Sequence, residues 1–206
     1  MNVNFDIPPL LVLGPGLIAF AAVTAVRAHR SRPGWTGRHA TLRIATAVYA
    51  AAVLSITVLP ITVTWGQYAN QTPWFQQINF IPLVTFDVTA VPNVIMFVPF
   101  GMLLPLISRV SGVRRATAVS LLASLCIELT QLLSYVVFNN GRACDVNDLL
   151  ANALGGLIGF LLVRAALRRP SPAALLRAVA LPGSAAHGRR AAGTPVRPRG
   201  PVRSRG

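Results

Sequence analysis

Apolar residues in this chain fall in long blocks separated by short polar connections. Five blocks run from about Leu10 to Val26, Leu42 to Val63, Val91 to Ser108, Ala116 to Phe138 and Leu149 to Leu167. Each is about 17 to 23 residues long, enough for a helix to cross a hydrocarbon core of roughly 30 Å. The pattern predicts an all-α fold, a polytopic integral membrane helical bundle with about five transmembrane helices. The segment before the first block carries Asp6 and no basic residue, so the block is expected to be a span and not a secretory leader.

The connections set an expected orientation. Arg27, Arg30, Arg32, Arg38 and Arg43 crowd the first, and Arg109, Arg114 and Arg115 the third. The second has no basic residue and carries Asp87, while the fourth sets Arg142 against Asp145 and Asp148. Arg168 and Arg169 open a tail with seven more arginines. This alternation predicts the N-terminus outside and the C-terminus inside. Composition agrees with a membrane class: 53% of residues are hydrophobic and 12% charged, against about 25% charged in soluble domains. The net charge of +14 suggests nucleic acid at first. Because it sits between apolar blocks and in the tail, anionic lipid headgroups are the expected partner, and no nucleic acid is expected. Trp65, Tyr68 and Trp74 suit an interfacial belt.

Three parts follow: an extra N-terminal span with its basic loop (1–41), a four-span membrane domain (42–167) and an Arg/Pro-rich tail (168–206) expected to be mostly disordered. Ala173 to Leu181 is the one stretch of the tail with the makings of a short surface helix. Cys126 and Cys144 are expected at different depths and unpaired. No metal-ligand spacing and no cofactor motif is visible.

Polar residues inside spans are costly, so they mark candidate chemistry. Thr117, Ser120, Ser124, Glu128, Gln131 and Tyr135 fall within an arc of about 80° on the fourth span. Asp148, Asn152, Gly155, Gly156 and Gly159 share an arc of about 100° on the fifth, where Gly155 and Gly159 form a close-packing pair. On the third span Asn93, Phe97, Gly101 and Ser108 lie on one side, and Pro99 and Pro105 free carbonyls upstream. Counting from Phe138, Glu128 lies about 15 Å deep, with Gln131 above it. Arg142, Asp145 and Asp148 are expected at the outer surface, giving a polar cleft that opens outward with Glu128 at its floor. Blander roles stand beside this one: Asp145 and Asp148 as helix caps, Arg142 as their ion-pair partner, and Gln131 and Asn152 as interhelical hydrogen bonds.

Three ordered blocks carry a family resemblance. Asn79-Phe-Ile-Pro82 with Asn93-Val-Ile-Met-Phe97-Val-Pro99-Phe-Gly101 is the first, and Glu128-Leu-Thr-Gln131 the second. The third is Gly141-Arg142-Ala-Cys-Asp145-Val-Asn-Asp148-Leu-Leu-Ala-Asn152-Ala-Leu-Gly155-Gly156. Together they resemble the VanZ family of small membrane proteins over roughly residues 42 to 165. The resemblance implies a bacterial membrane protein, with founding members that lower sensitivity to teicoplanin-type antibiotics.

Three functions compete at this stage. One is a cell-envelope protein that binds a lipid-linked cell-wall precursor, a lipid headgroup or an amphiphilic antibiotic in the outward cleft. A second is a membrane enzyme using Glu128 or Asp148 as general acid or base, although no nucleophile with an adjacent base is visible. The third, a proton-coupled transporter, is disfavoured by five spans without an internal repeat.

Overall fold

The computed structural model describes residues 2–82 and 90–187. Asp87 and the tail from 188 onward lie outside the described residues. Five helices are long and apolar enough to cross a membrane: α1 (Pro9–His29), α2 (Arg38–Thr57), α3 (Ala90–Ile107), α4 (Val113–Phe138) and α5 (Val146–Ala166). A sixth, α6 (Pro170–Val179), follows α5.

Helix α5 is the centre of the bundle, because its glycines remove the side chains that would hold neighbours apart. A Cβ at Gly155 would overlap the carbonyl oxygen of Val94, and one at Gly159 the carbonyl oxygen of Val98, both on α3. From the other side, a Cβ at Gly101 of α3 would overlap the carbonyl oxygen of Gly156. Gly156 also receives the Ser120 hydroxyl of α4. The glycine pair therefore packs spans within one chain. Matching positions give the directions: Val94 meets Gly155 and Val98 meets Gly159, so α3 and α5 run parallel. Ser120 meets Gly156 and Ser124 meets Asn152, so α4 runs antiparallel to α5.

Helices α1 and α2 form a hairpin at the side and present Leu10, Leu11, Ile18, Val48 and Ile56 outward. The second apolar block does not stay helical to Val63. Helix α2 ends at Thr57, and β2 (Ile61–Trp65) pairs antiparallel with β1 (Val3–Ile7). Pro60 supplies no N–H and disfavours helix at the residue before it. Ile61-Thr-Val-Thr and Val3-Asn-Phe-Asp-Ile both alternate with period two, the strand signal. A second, parallel pair joins β3 (Ile78–Asn79) to β4 (Cys144–Asp145).

The tail departs from the expected disorder as far as it is described. After α6 the chain returns to the end of α3, where Leu181 N–H donates to Leu106 O, Ala185 N–H to Ser108 O and Ala186 N–H to Pro105 O. The last turn of a helix leaves carbonyls without partners, and this segment supplies the donors. Ala173, Ala180 and Ala186 are buried with Leu106, Val163 and Leu167. Order at 170–187 thus comes from capping and apolar burial that the Arg/Pro-rich composition hides.

Candidate functional site

The polar arc of α4 faces α5 and is closed. Ser120 and Ser124 are fully buried, and Glu128 and Asn152 are each 2% exposed. Asn152 Nδ2 donates to Ser124 Oγ at 2.9 Å, so this amide joins α5 to α4. Gln131 Nε2 donates to the Thr57 carbonyl at 2.8 Å, tying α4 to the end of α2. The oxygens of both amides, Gln131 Oε1 and Asn152 Oδ1, are buried with no donor among the described residues.

Glu128 finds its partner in the chain that links α4 to α5. Its Oε2 accepts from the main-chain N–H of Asp145 at 2.9 Å. Asp145 is the N-cap of α5, with Oδ1 accepting from Asn147 N–H at 2.7 Å and from Asn147 Nδ2 at 2.9 Å. Its Oδ2 accepts from Asn79 Nδ2 at 3.1 Å, which fixes the β3–β4 pairing. Within the first turn of α5, Asp148 Oδ1 accepts from Asn93 Nδ2 of α3 at 2.5 Å.

This arrangement corrects the expected depths. Residue counting puts Asp145 at the outer surface, yet it bonds a side chain ten residues below the end of α4, a drop of about 15 Å. The 139–145 connection folds back toward the bundle, and α5 starts level with Glu128. Glu128 is accordingly sealed beneath the connection and does not floor an open cleft. The physical cause is the carboxylate itself, which needs donors inside an apolar bundle and draws down a main-chain N–H.

Of the two roles weighed for Arg142, the ion pair with an aspartate is absent among the described residues. Its guanidinium does not pair with Asp145 or Asp148. Nη1 donates to Thr57 O and Nη2 to Leu59 O, both at 3.1 Å. Those carbonyls lie where α2 unravels at Pro60, so Arg142 and Gln131 satisfy the same frayed end. Above them is a cleft of about 560 Å³ lined by Thr62, Thr64, Tyr68, Asn70, Asn140 and Arg142, among others. Asn140 is held in place by Ser134 Oγ at 2.6 Å, and the Tyr135 hydroxyl donates to Thr72 O.

Cys144 sits in the same connection, beside Glu128. Burial pushes its thiol up to about 11, and the Glu128 carboxylate adds to the shift. A thiol so protonated is a poor nucleophile near neutral pH. Chemistry at this site therefore rests on the carboxylates, the amides and the arginine. Asn79, Asn140 and Asn147 join the site without standing on the polar arcs of the spans. The spacing Asp145-x-Asn147 ahead of an apolar run was a readable cap signal, whereas Asn140 carried none.

A model of the VanZ/LLP1 family matches residues 46–168. That stretch is more than half of the chain and holds Asn93, Glu128, Gln131, Arg142, Asp145, Asp148 and Asn152. The chain belongs to the VanZ/LLP1 family. No curated protein and no solved structure matches it. Five apolar helices together with VanZ membership make this a VanZ-like membrane protein. The VanZ region begins within α2, so α1, β1 and the first Arg-rich turn lie ahead of it, and all of α6 and its docked extension lie beyond it.

Proposed function

We propose that the chain is a binding protein of the bacterial cytoplasmic membrane, facing the cell envelope. It lowers sensitivity to glycopeptide or lipoglycopeptide antibiotics by engaging a lipid-linked or amphiphilic ligand. The N-terminus and the polar cleft face outward, and the arginine-rich turns face inward.

The observation that carries this reading is Arg142. A guanidinium held by two carbonyls lines a cleft of about 560 Å³ walled by hydroxyl and amide side chains. Such a wall suits the sugars, peptides and phosphates of a lipid-linked precursor, with the cation placed for an anionic group. Glu128 and Asp145 act at one remove by fixing the connection that carries Arg142. The carboxylates of Glu128, Asp145 and Asp148 each accept hydrogen bonds within the protein. That supports positioning roles over acid–base catalysis.

The test is growth of a teicoplanin-sensitive host expressing the chain, its Arg142→Gln variant or an empty vector, with membrane levels matched by a tag. The expected result is a several-fold higher inhibitory concentration with the chain, returning to the vector value with R142Q. Equal susceptibility in all three would remove the resistance reading.

A further inference from the structure

The strongest charge concentration among the described residues lies away from this cleft, at the α1–α2 turn and ahead of the family-matched region. Helix α1 ends in a tight, ordered turn: Arg30 N–H donates to Val26 O at 3.0 Å, Ser31 N–H to Ala28 O at 2.9 Å and Arg32 N–H to Arg27 O at 3.0 Å. Ser31 takes a left-handed conformation, φ 49°, which closes the helix end. The turn therefore gathers Arg27, Arg30 and Arg32 within six residues. Trp35 is fixed beside them, with the Arg27 guanidinium 4.2 Å and the Arg43 guanidinium 4.0 Å from its ring centre. A cavity of about 720 Å³ runs from the apolar flank of α1, at Val23 and Val26, to these three arginines and Trp35.

Nothing described in the chain neutralises this turn. Among the described residues, Asp6 lies in β1 at the opposite end of α1, some 31 Å away along the helix. Glu128, Asp145 and Asp148 are engaged in the α4–α5 site. Like charges held this close repel one another, so the turn gains from an external anion. We infer that this turn is a binding site for an anionic phospholipid. The phosphate headgroup rests among Arg27, Arg30 and Arg32 beside Trp35, and an acyl chain lies along Val23 and Val26. Guanidinium groups match phosphate oxygens in a paired geometry, and tryptophan favours the headgroup level. A lipid, unlike free phosphate, also covers the apolar half of the cavity.

The test uses the full chain purified in dodecyl maltoside, with lipid binding read by native mass spectrometry. Probes are dioleoyl phosphatidylglycerol, dioleoyl phosphatidylcholine and inorganic phosphate as competitor. Arg30→Gln/Arg32→Gln removes two exposed charges from the turn and leaves the Arg27–Trp35 stack intact. Arg114→Gln/Arg115→Gln removes two exposed charges from the first turn of α4 and serves as the matched control. The expected result is preferential phosphatidylglycerol binding that falls about ten- to thirtyfold in R30Q/R32Q and less than about twofold in the control. Equal losses in both variants would overturn the site in favour of diffuse surface charge. Equal binding of phosphatidylcholine would overturn headgroup recognition. Displacement of the lipid by millimolar phosphate would make this a free-phosphate site and overturn the lipid assignment.

Discussion

The Glu128 carboxylate and the main-chain N–H of Asp145 meet at 2.9 Å across seventeen residues of chain. This one bond sets the level at which α5 begins and holds the connection bearing Arg142. Glu128→Ala leaves the Asp145 N–H without its acceptor and costs about 1–3 kcal/mol. Glu128→Gln keeps a carbonyl acceptor and loses less. Thermal unfolding in detergent checks the order, and equal destabilisation by both would mean that the carboxylate does not hold the connection.

Gly101, Gly155 and Gly159 each sit where an added Cβ would overlap a backbone carbonyl of the facing helix. Backbone cannot swing aside as a side chain can, so Ala at any of the three forces α3 and α5 apart. Each substitution is expected to cost about 1–3 kcal/mol, as overpacking does in cores. Gly16 of α1 has open space around it, and Gly16→Ala is expected to be neutral or slightly stabilising. Melting curves of the four variants, compared side by side, test the contrast.

Gln131 and Arg142 donate to the same acceptor, the carbonyl of Thr57, at 2.8 and 3.1 Å. Removing one leaves the other in place, so the first substitution costs less than the second. A double-mutant cycle with Gln131→Leu and Arg142→Leu is expected to show a coupling of about 0.5–2 kcal/mol. Strict additivity would show that the two side chains act on separate parts of the fold.

Cys144 should react slowly with maleimides. With its thiol pushed up to about 11 by burial and then by Glu128, the thiolate fraction at pH 8 is small. Labelling is expected to be about a hundredfold slower than for an ordinary thiol and to climb about tenfold per pH unit below that value. Glu128→Gln removes a negative charge that disfavours the thiolate, so it lowers the Cys144 value and speeds the reaction. Both proteins carry Cys126→Ser, so only Cys144 reports. In intact cells an impermeant reagent is expected to reach it from outside. Labelling only after the inner face is opened would reverse the proposed topology.

The five spans were legible because lipid demands unbroken apolar length, and α1 to α5 leave little else to choose. The partners of α5 were legible in part. Gly155 and Gly159 announced a close contact, and the polar arc of α4 announced which face turns inward. What periodicity does not encode is a return of the chain into the bundle. A count of residues from Phe138 assumes that the chain leaves at the helix end and stays out, so it puts Asp145 about 15 Å too high. Strands β1 and β2 are hidden in the sequence because Ile61 to Val63 prolongs an apolar block whose alternation is only a few residues long.

The three hydrogen bonds from 181–186 to the end of α3 have a bearing on where this protein stops being one unit. The family match ends at residue 168, and a chain trimmed there would keep every helix of the shared domain. It would lose the donors that close the carbonyls of Pro105, Leu106 and Ser108, together with the alanines that seal Leu106 and Val163. The evolutionary boundary and the folding boundary are different places in this sequence. Shortened forms meant to keep the native bundle should therefore retain the chain through Ala186.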